Sequence, residues 1–379
     1  MRNILLVILT CAAISCDSEK RETLIVIDTQ AERPSPQFLS QIFEKSEIVR
    51  LEINDSFLIR DVRHLAKAEQ YIFIAEYNRV SQWDIKGRFI RQIGSFGRGP
   101  GQYRSIRAIA VNSINNKLII ATYHHLLCYD FNGRFIKSIP ILRGTIDFVY
   151  FLDGHLWVYN KQFIIPTGDN SHMDLGIFYK YDDKLQIIDS MAKSQNKNNW
   201  RVFIGGIPTY CFSSLKSELY MYSPVLVPEA VLRDTFYVIR NSEKIPIMKL
   251  DFSKILSTDD NVKIDSKTMT PQAVREAEYR IRSVTISNIY RTNQFVFTEY
   301  SYLGRPFVFY YDLLLKKGYN IPEGFTDNLY GIGKPVQLLP LDLQYGDFCF
   351  IKNGYEVEGI VDGVGENSNP VIFFVKTKE

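Results

Sequence analysis

An internal repeat constrains the fold of this chain more than any other feature of its sequence. Residues 72–94 align with residues 118–140 without a gap, and both segments contain the motif Asp-x-x-Gly-Arg-Phe-Ile. The pattern of each copy is typical of β-strands joined by tight turns. In such turns the Asp side chain accepts backbone N–H groups and the Gly supplies a positive φ. We therefore interpret Asp84 and Asp130 as turn residues rather than catalytic carboxylates.

The number of repeats can be counted from two kinds of strand. Apolar second strands occur six times, at 71–76, 118–122, 155–160, 218–223, 294–299 and 347–352. Third strands also occur six times, at 79–84, 125–130, 176–182, 234–240, 306–312 and 370–376. The 23 tyrosines and 25 phenylalanines suit a strand-rich chain. Six four-stranded units predict an all-β fold, a six-bladed β-propeller over residues 47–379.

The last blade needs a strand from the other end of the chain. Its third strand lies at the C-terminus, so an N-terminal segment must supply the outer strand, either residues 22–28 or residues 47–53. Closing the ring in this way removes an exposed sheet edge. One short helical insertion is predicted at 270–282, where Thr270 can cap the helix and Pro271 occupies its first position.

The N-terminus carries an export signal. Arg2 precedes a short apolar stretch that ends in Ala-Ile-Ser-Cys, and this stretch is too short to span a bilayer. The pattern resembles a bacterial lipoprotein signal over residues 1–16. The resemblance implies that Cys16 is lipidated and that this lipid anchor attaches the protein to a membrane, which is thus a predicted partner. Residues 17–46 are then a tether and possible closing strand. A plain signal peptide cleaved near Ser15 is the alternative.

Several functional classes find little support in the sequence. The net charge of +3, with no long basic run, argues against a nucleic-acid partner. The glycine-rich run 94–101 matches no nucleotide-phosphate motif, and no nucleophile motif for a Ser-His-Asp triad is present. Cys128, Cys211 and Cys349 are scattered through strand-like runs and predict no disulfide framework. We expect no cofactor, no metal site and no assigned catalytic residue.

Two resemblances support this architecture. The glycine-rich run that leads through Tyr103 into an apolar strand resembles the NHL repeat. Together with the Cys16 signal, segment 40–52, the paired turns and the closing segment 369–376, it makes the chain similar to the six-bladed β-propeller lipoproteins of Bacteroidetes. The resemblance implies a propeller at the outer membrane, on its periplasmic or cell-surface side. It implies no activity.

The topology of a propeller predicts where a ligand would bind. Connectors between blades and loops between second and third strands share one face, and in this chain they are rich in aromatic and basic residues. Tyrosine offers a flat ring with a polar tip, and arginine offers a fork for carboxylate or phosphate. The predicted ligand-binding residues are Arg63, His64, Tyr77, Arg79, Tyr103, Arg104, Arg107, Tyr123, His124, His125, Tyr302 and Arg305.

Two functions are consistent with these features. The first is a monomeric, non-catalytic binding or scaffold lipoprotein of the cell envelope, whose partner is a glycan, an anionic metabolite or a protein loop, including one within an envelope complex. The second is a hydrolase or lyase that acts on carbohydrate or peptide through axial carboxylates or a metal. The predicted face contains Arg, His and Tyr rather than carboxylates, which favours binding.

Overall fold

The structure is a computed structural model, and its described residues are 25–28, 38–53, 57–141, 144–164, 172–198, 212–215, 218–222, 234–240, 243–252, 270–272, 284–302 and 305–378. Six sheets of antiparallel strands form a ring, which confirms the predicted six-bladed β-propeller. First strands contact one another between blades 1 and 2, blades 2 and 3, blades 4 and 5, and blades 6 and 1.

Blades 1 to 3 follow the order of the chain, and in each the first strand is innermost. Blade 1 contains His64–Lys67, Tyr71–Ala75, Val80–Asp84 and Phe89–Ile93. Blade 2 contains Ala108–Asn112, Lys117–Ala121, His125–Asp130 and Phe135–Pro140. Blade 3 contains Thr145–Leu152, His155–Ile164, His172–Tyr181 and Ile187–Asn198.

Blades 4 to 6 complete the ring. Blade 4 contains Phe212–Leu215, Glu218–Tyr222, Thr235–Arg240 and Glu243–Asp251. Blade 5 contains Val284–Arg291, Phe295–Tyr302, Arg305–Asp312 and Lys317–Pro322. Blade 6 contains Leu339–Asp342, Asp347–Lys352, Val371–Thr377 and, outermost, Phe43–Arg50.

Shorter elements lie in the connections. Two small sheets pair Ser95–Phe96 with Gln102–Tyr103, and Phe325–Thr326 with Pro335–Val336. A 3-10 turn spans Leu39–Gln41, and a one-turn α-helix spans Gly354–Val357. Of the predicted helical insertion at 270–282, Pro271 and Gln272 are helical, and residues 273–282 lie outside the described residues.

The ring is closed by the second of the two candidate segments. Phe43–Arg50 pairs antiparallel with Val371–Thr377, with Phe43 opposite Thr377 and Arg50 opposite Val371. The Phe43 ring is fully buried, and its centroid lies 5.3 Å from that of Phe348. Burial of this ring explains why the closing strand begins at Phe43, four residues before the sequence pattern suggests.

The first candidate segment takes a different place. Ile25–Asp28 adds to blade 4 as a fifth strand, parallel to its outer strand, with Ile25 opposite Met248 and Asp28 opposite Asp251. An outer strand otherwise presents unpaired backbone N–H and C=O groups, so this segment covers part of one exposed edge.

The repeated turns have the geometry that the sequence predicts. Oδ1 of Asp84 accepts the backbone N–H groups of Lys86 and Arg88 at 2.9 and 2.8 Å. Asp130 accepts two backbone N–H groups in the same manner. Both aspartates therefore shape turns, and we assign them no chemical role.

The two described strand cysteines are buried in the core. Cys128 and Cys349 are free thiols, and burial raises the pKa of Cys349 to about 12. A thiol with so high a pKa is an inert small hydrophobic group at neutral pH. Cys211 and the predicted lipidation site Cys16 lie outside the described residues.

Candidate functional site

A cavity of about 490 Å³ lies on the axis of the ring. The innermost strands of blades 1, 2, 3 and 6 provide most of its lining, and it extends outward along blade 6 to Phe374 and Ser46. We call the face with the inter-blade connectors the upper face and the face with the turns between first and second strands the lower face. His64 begins its strand at the upper end of the cavity, and Asp342 ends its strand at the lower end.

Two matching Arg–Tyr pairs stand at the upper face. The Arg63 guanidinium lies 4.8 Å from the centroid of the Tyr77 ring, and that of Arg107 lies 5.1 Å from the Tyr123 ring. The backbone repeats too, because Arg63 N–H donates to Ala75 and Arg107 N–H to Ala121. Blades 1 and 2 thus build the same cation–π pair at equivalent positions, each worth about 0.5–1 kcal/mol.

His64 lies near both arginines of these pairs. Its Nδ1 is buried and has no hydrogen-bond partner within the described part of the chain. Burial, with the positive charges of Arg107 and Arg63, lowers the pKa of His64 to about 4. The imidazole is therefore neutral at neutral pH, in a site where the surrounding charge favours an anion.

Arg63 already contacts a carboxylate. Its Nε donates to Asp61 at 3.0 Å, and both side chains are largely exposed. An exposed ion pair of this kind contributes little to stability, about 0–1 kcal/mol. The carboxylate of Asp61 can therefore be exchanged for that of a ligand at low energetic cost.

Arg79 is half-buried at the upper face, where its side chain contacts other residues of the protein. It forms an ion pair with Glu76 and donates to the Leu58 carbonyl at 2.6 Å. Its guanidinium also lies 4.4 Å from the Phe57 ring centroid. These contacts tie the segment before blade 1 to that blade, so Arg79 serves the packing of the connector.

The glycine-rich connector between blades 1 and 2 is a folded structural element. Ser95–Phe96 pairs parallel with Gln102–Tyr103, and the Gln102 side chain accepts Gly99 N–H at 2.8 Å. A Cβ on Gly94 would lie 2.7 Å from the Tyr103 ring, so bulkier residues would not fit there. Close packing explains the glycines without a phosphate ligand.

Tyr103, which we predicted at the ligand-binding rim, lies instead in the core between blades 1 and 2. Only 2% of it is exposed, its hydroxyl donates to the Ile93 carbonyl, and it accepts Val80 N–H at 3.1 Å. Its polar tip is thus used inside the protein. We correct its assignment to a packing residue.

The other predicted residues do not join one cluster. Arg104 is exposed on the connector, and His124 and His125 are exposed beside Tyr123. Tyr302 is half-buried against the cluster between blades 4 and 5, directly opposite exposed Arg305. Because blade 5 is two blades from blade 1 and three from blade 2, this pair lies away from Arg63 and Arg107.

The lower end of the cavity holds two carboxylates that the sequence analysis did not single out. Asp342 and Asp347 pair across a turn, and burial raises the pKa of each. Oδ1 of Asp342 accepts Gln344 N–H at 3.1 Å. Asn112 does the same at the equivalent position of blade 2, where its Oδ1 accepts Ile114 N–H. A turn role therefore accounts for Asp342, which explains why the sequence could not distinguish it.

Within the described ranges, no group of three or more His, Cys, Asp or Glu side chains is arranged to hold a metal ion. The same residues contain no helix with the length and apolar character needed to cross a membrane.

Three solved structures are similar to this chain, and the first shares its fold. An exported protein of Bacteroides fragilis NCTC 9343 is 18% identical, with a TM-score of 0.64, over 94% of this chain and all of that chain. A DUF4221 family member of Bacteroides vulgatus is 11% identical over 89% of this chain and 98% of that one, with a TM-score of 0.47. The WD40 repeats of RRP9 are 12% identical over 89% of this chain and 100% of theirs, with a TM-score of 0.44.

A comparison with curated proteins finds no match. One family model, described as a domain of unknown function, DUF4934, matches residues 22–376. This range contains the closing strand, the fifth strand of blade 4 and all of the six blades except their last residue, Thr377. The chain therefore belongs to the DUF4934 family.

Proposed function

We propose that this protein is a lipid-anchored, non-catalytic binding module of the cell envelope, with its ligand at the upper end of the axial cavity. The observation that carries the proposal is the pair of matching Arg–Tyr contacts beside His64. The same arrangement occurs in two neighbouring blades, with Arg63 exposed and Arg107 half-buried, and Arg107 Nε also donates to the Ile146 carbonyl at 3.4 Å. The repeated arrangement produces a mouth with two guanidinium groups and two aromatic faces.

The chemistry of this mouth suits a ligand that carries a carboxylate or phosphate. Arg63 has five N–H donors and gives one of them to Asp61. Tyr77 and Tyr123 are 51% and 38% exposed, so their rings can pack against a sugar or a side chain. An acidic glycan, an anionic metabolite and an acidic protein loop all share these features.

Calorimetric titration of the mature chain, residues 16–379 with Cys16→Ser, tests the ligand site. The probes are citrate, oligogalacturonate and inorganic phosphate, with a neutral glucose oligomer for comparison. We expect at least one anionic probe to bind. The double variant Arg63→Ala, Arg107→Ala should weaken that binding at least about tenfold, since two charge-assisted contacts are lost.

Arg305→Ala is the matched control, because Arg305 is an exposed arginine at the upper end of the third strand of blade 5. It should leave the affinity unchanged. Binding that survives the Arg63, Arg107 double variant, or that falls equally in Arg305→Ala, would contradict the proposed site. So would failure of every anionic probe to bind.

The envelope location rests on the N-terminal pattern and on the similar Bacteroides fragilis protein, which is described as exported. We propose that Cys16 is lipidated and that the propeller is a monomer held at the outer membrane, alone or within an envelope complex. Metabolic labelling with palmitate should mark the parent chain and not the Cys16→Ser variant. Labelling that persists in the variant would contradict the anchor. The NHL-like character of the repeats stays a prediction.

Catalysis by axial carboxylates is the second candidate, because Asp342 and Asp347 both line the cavity. Asp347→Asn tests it without disturbing the turn at Asp342. If the parent chain cleaves a polysaccharide or peptide and this variant does not, the protein is an enzyme and the non-catalytic proposal fails.

A further inference from the structure

The lower face carries an exposed apolar and basic surface on blades 5 and 6. It consists of Leu314, Leu315, Lys316, Lys317 and Tyr345, and we call it the lower patch. Leu314, Leu315 and Tyr345 are 75%, 66% and 59% exposed. The two lysines follow the leucines directly and are exposed as well.

Hydrogen bonds join the turns of the lower patch into one surface. The backbone N–H of Leu313 donates to the Gln294 carbonyl at 2.8 Å, which links two turns of blade 5. Nδ2 of the neighbouring Asn293 donates to the Gln344 carbonyl at 3.1 Å, which links blade 5 to the turn of Tyr345. The leucines and the tyrosine therefore belong to adjoining turns on one face.

The fold does not require these leucines. Oδ1 of Asp312 accepts the N–H groups of Leu314 and Leu315, as the turn aspartates of blades 1 and 2 do for their own neighbours. The residues that correspond to Leu314 in those two turns are polar, Lys86 and Asn132. A polar residue would thus serve the turn equally well, and the exposed apolar pair needs another explanation.

The fifth strand of blade 4 is entered from the lower side. Ile25–Asp28 runs parallel to Glu243–Asp251, which begins at the lower face and ends at the upper face. The nine residues from Cys16 to Ile25 reach at most about 30 Å when extended. An anchored Cys16 therefore keeps this side of the propeller within reach of its bilayer.

We propose that the lower patch rests on the phospholipid bilayer that holds the lipid anchor. Leu314 and Leu315 enter the boundary of the acyl chains, Tyr345 lies at the headgroup level, and the two lysines meet lipid phosphates. The upper face then points away from the membrane. This inference relies on the proposed anchor only for the choice of membrane.

A protein partner fits the lower patch less well. A stable interface buries about 800 Å² on each side, and three apolar side chains on turns fall well short of that area. Two leucines next to two lysines do match the layered chemistry of a lipid surface, where apolar and phosphate groups lie a few ångströms apart.

Vesicle flotation tests the inference without the anchor. The mature chain with Cys16→Ser is mixed with vesicles of phosphatidylglycerol and phosphatidylethanolamine in equal amounts. We expect it to float with the vesicles. Leu314→Ser, Leu315→Ser should lower the partition coefficient at least about tenfold, since both aliphatic side chains that enter the acyl boundary are lost.

The matched control is Ile187→Ser, Ile188→Ser, which removes another exposed aliphatic pair, 54% and 52% exposed, from the outer strand of blade 3. It should float like the parent. Lys316→Gln, Lys317→Gln should lower binding to these vesicles and change it little on phosphatidylcholine. The melting temperature of each variant is measured to check that the variant is folded.

Three outcomes would overturn the inference. In the first, the parent chain does not float. In the second, the leucine variant and the isoleucine variant lose binding equally. In the third, the parent chain does not float but forms a dimer that the leucine variant loses. The last result would assign the lower patch to a second copy of the chain. Palmitate labelling of Cys16 is measured separately, so failure of the anchor and failure of the lower patch can be distinguished.

Discussion

Glu299 and His64 are two side chains whose protonation is set by burial. Burial raises the pKa of Glu299 to about 7, although the Tyr290 hydroxyl, 3.4 Å away, opposes the shift. Directly across the sheet lies Asn288, which is fully buried and whose amide atoms lack hydrogen-bond partners among the described residues. Glu299 therefore keeps its proton in surroundings that offer little to stabilise a charge.

These two groups give opposite contributions to the pH dependence of stability. The unfolded chain releases the Glu299 proton near its usual pKa of 4.5, whereas the native protein keeps it up to about pH 7. The contribution of Glu299 thus falls as the pH rises from 4.5 to 7. The contribution of His64 falls as the pH drops from 6.5 to 4, because only the unfolded chain binds that proton.

We expect Glu299→Gln to make the protein lose stability on acidification more steeply than the parent between pH 6.5 and 4.5. His64→Gln should instead make the protein lose stability on acidification less steeply than the parent between pH 6.5 and 4.5. Melting temperatures across pH 4 to 8, recorded for both variants and the parent, measure these slopes. Parallel curves for all three proteins would contradict the assigned pKa values.

A bound anion should change the titration of His64. A carboxylate between Arg63 and Arg107 favours the imidazolium form, so the pKa of His64 should rise from about 4 when citrate is saturating. NMR titration of the His64 ring proton, assigned with His64→Gln, measures the shift. An unchanged pKa in a complex that calorimetry shows to be saturated would place the ligand elsewhere.

At the scale of the residue, a sequence predicts the position of a polar side chain well only when that side chain forms no hydrogen bonds in the core. The topology alone predicts Arg63, His64, Tyr77, Arg107 and Tyr123 on the upper face, where the structure has them. Tyr103 is also an aromatic residue of a connector between blades, but its hydroxyl forms hydrogen bonds with two backbone groups and its ring is buried. Such hydrogen bonds depend on neighbouring strands and leave no mark in a single sequence.

At the scale of the element, the strand-turn units account for most of what was predictable. Six second strands and six third strands appear in the sequence, and six blades appear in the structure. The sequence did not distinguish the two N-terminal segments because both are apolar and strand-like. Their places depend on distant partners, Val371–Thr377 for one and Glu243–Asp251 for the other.

Gly87 shows how tightly one turn meets the next blade. Its φ is +83°, and a Cβ there would lie 1.9 Å from the Arg50 carbonyl oxygen at the end of the closing strand. Gly154 also has a positive φ, +74°, but nothing lies within 4 Å of its Cβ position. Of these two glycines, Gly87 alone combines a positive φ with a backbone clash.

We therefore expect Gly87→Ala to cost about 2–4 kcal/mol of unfolding free energy, because the turn must move away from blade 6. Gly154→Ala should cost about 1 kcal/mol, from backbone strain alone. Urea unfolding of both variants measures the difference. Equal losses would show that the seam between blades 6 and 1 is looser than the contacts indicate.

At the scale of the whole molecule, stability depends on a ring closed by the two ends of the chain. Phe43–Arg50 carries one side of the closing pair and Val371–Thr377 the other, and Lys378 N–H also donates to the Ile42 carbonyl at 2.9 Å. This pairing leaves no free edge on the C-terminal strand Val371–Thr377.

Truncation from the N-terminus should separate the two N-terminal strands. A chain that begins at residue 38 keeps the closing strand and should melt cooperatively, slightly below the parent. A chain that begins at residue 51 leaves Val371–Thr377 as a free edge and should aggregate or lose its cooperative transition. Calorimetry and gel filtration check both. Parent-like melting of the shorter chain would contradict the role of the closing strand.

The fifth strand of blade 4 is the first part of the fold to bear a mechanical force applied from the N-terminal side. Any pull transmitted from the N-terminal side reaches Ile25–Asp28 before it reaches the closing strand, because Phe43 lies further along the chain. That strand is held by a parallel ladder to Glu243–Asp251 and can detach while the six-bladed ring stays closed. Under such a force, Ile25–Asp28 is thus placed to separate from blade 4 before the closing strand separates from blade 6.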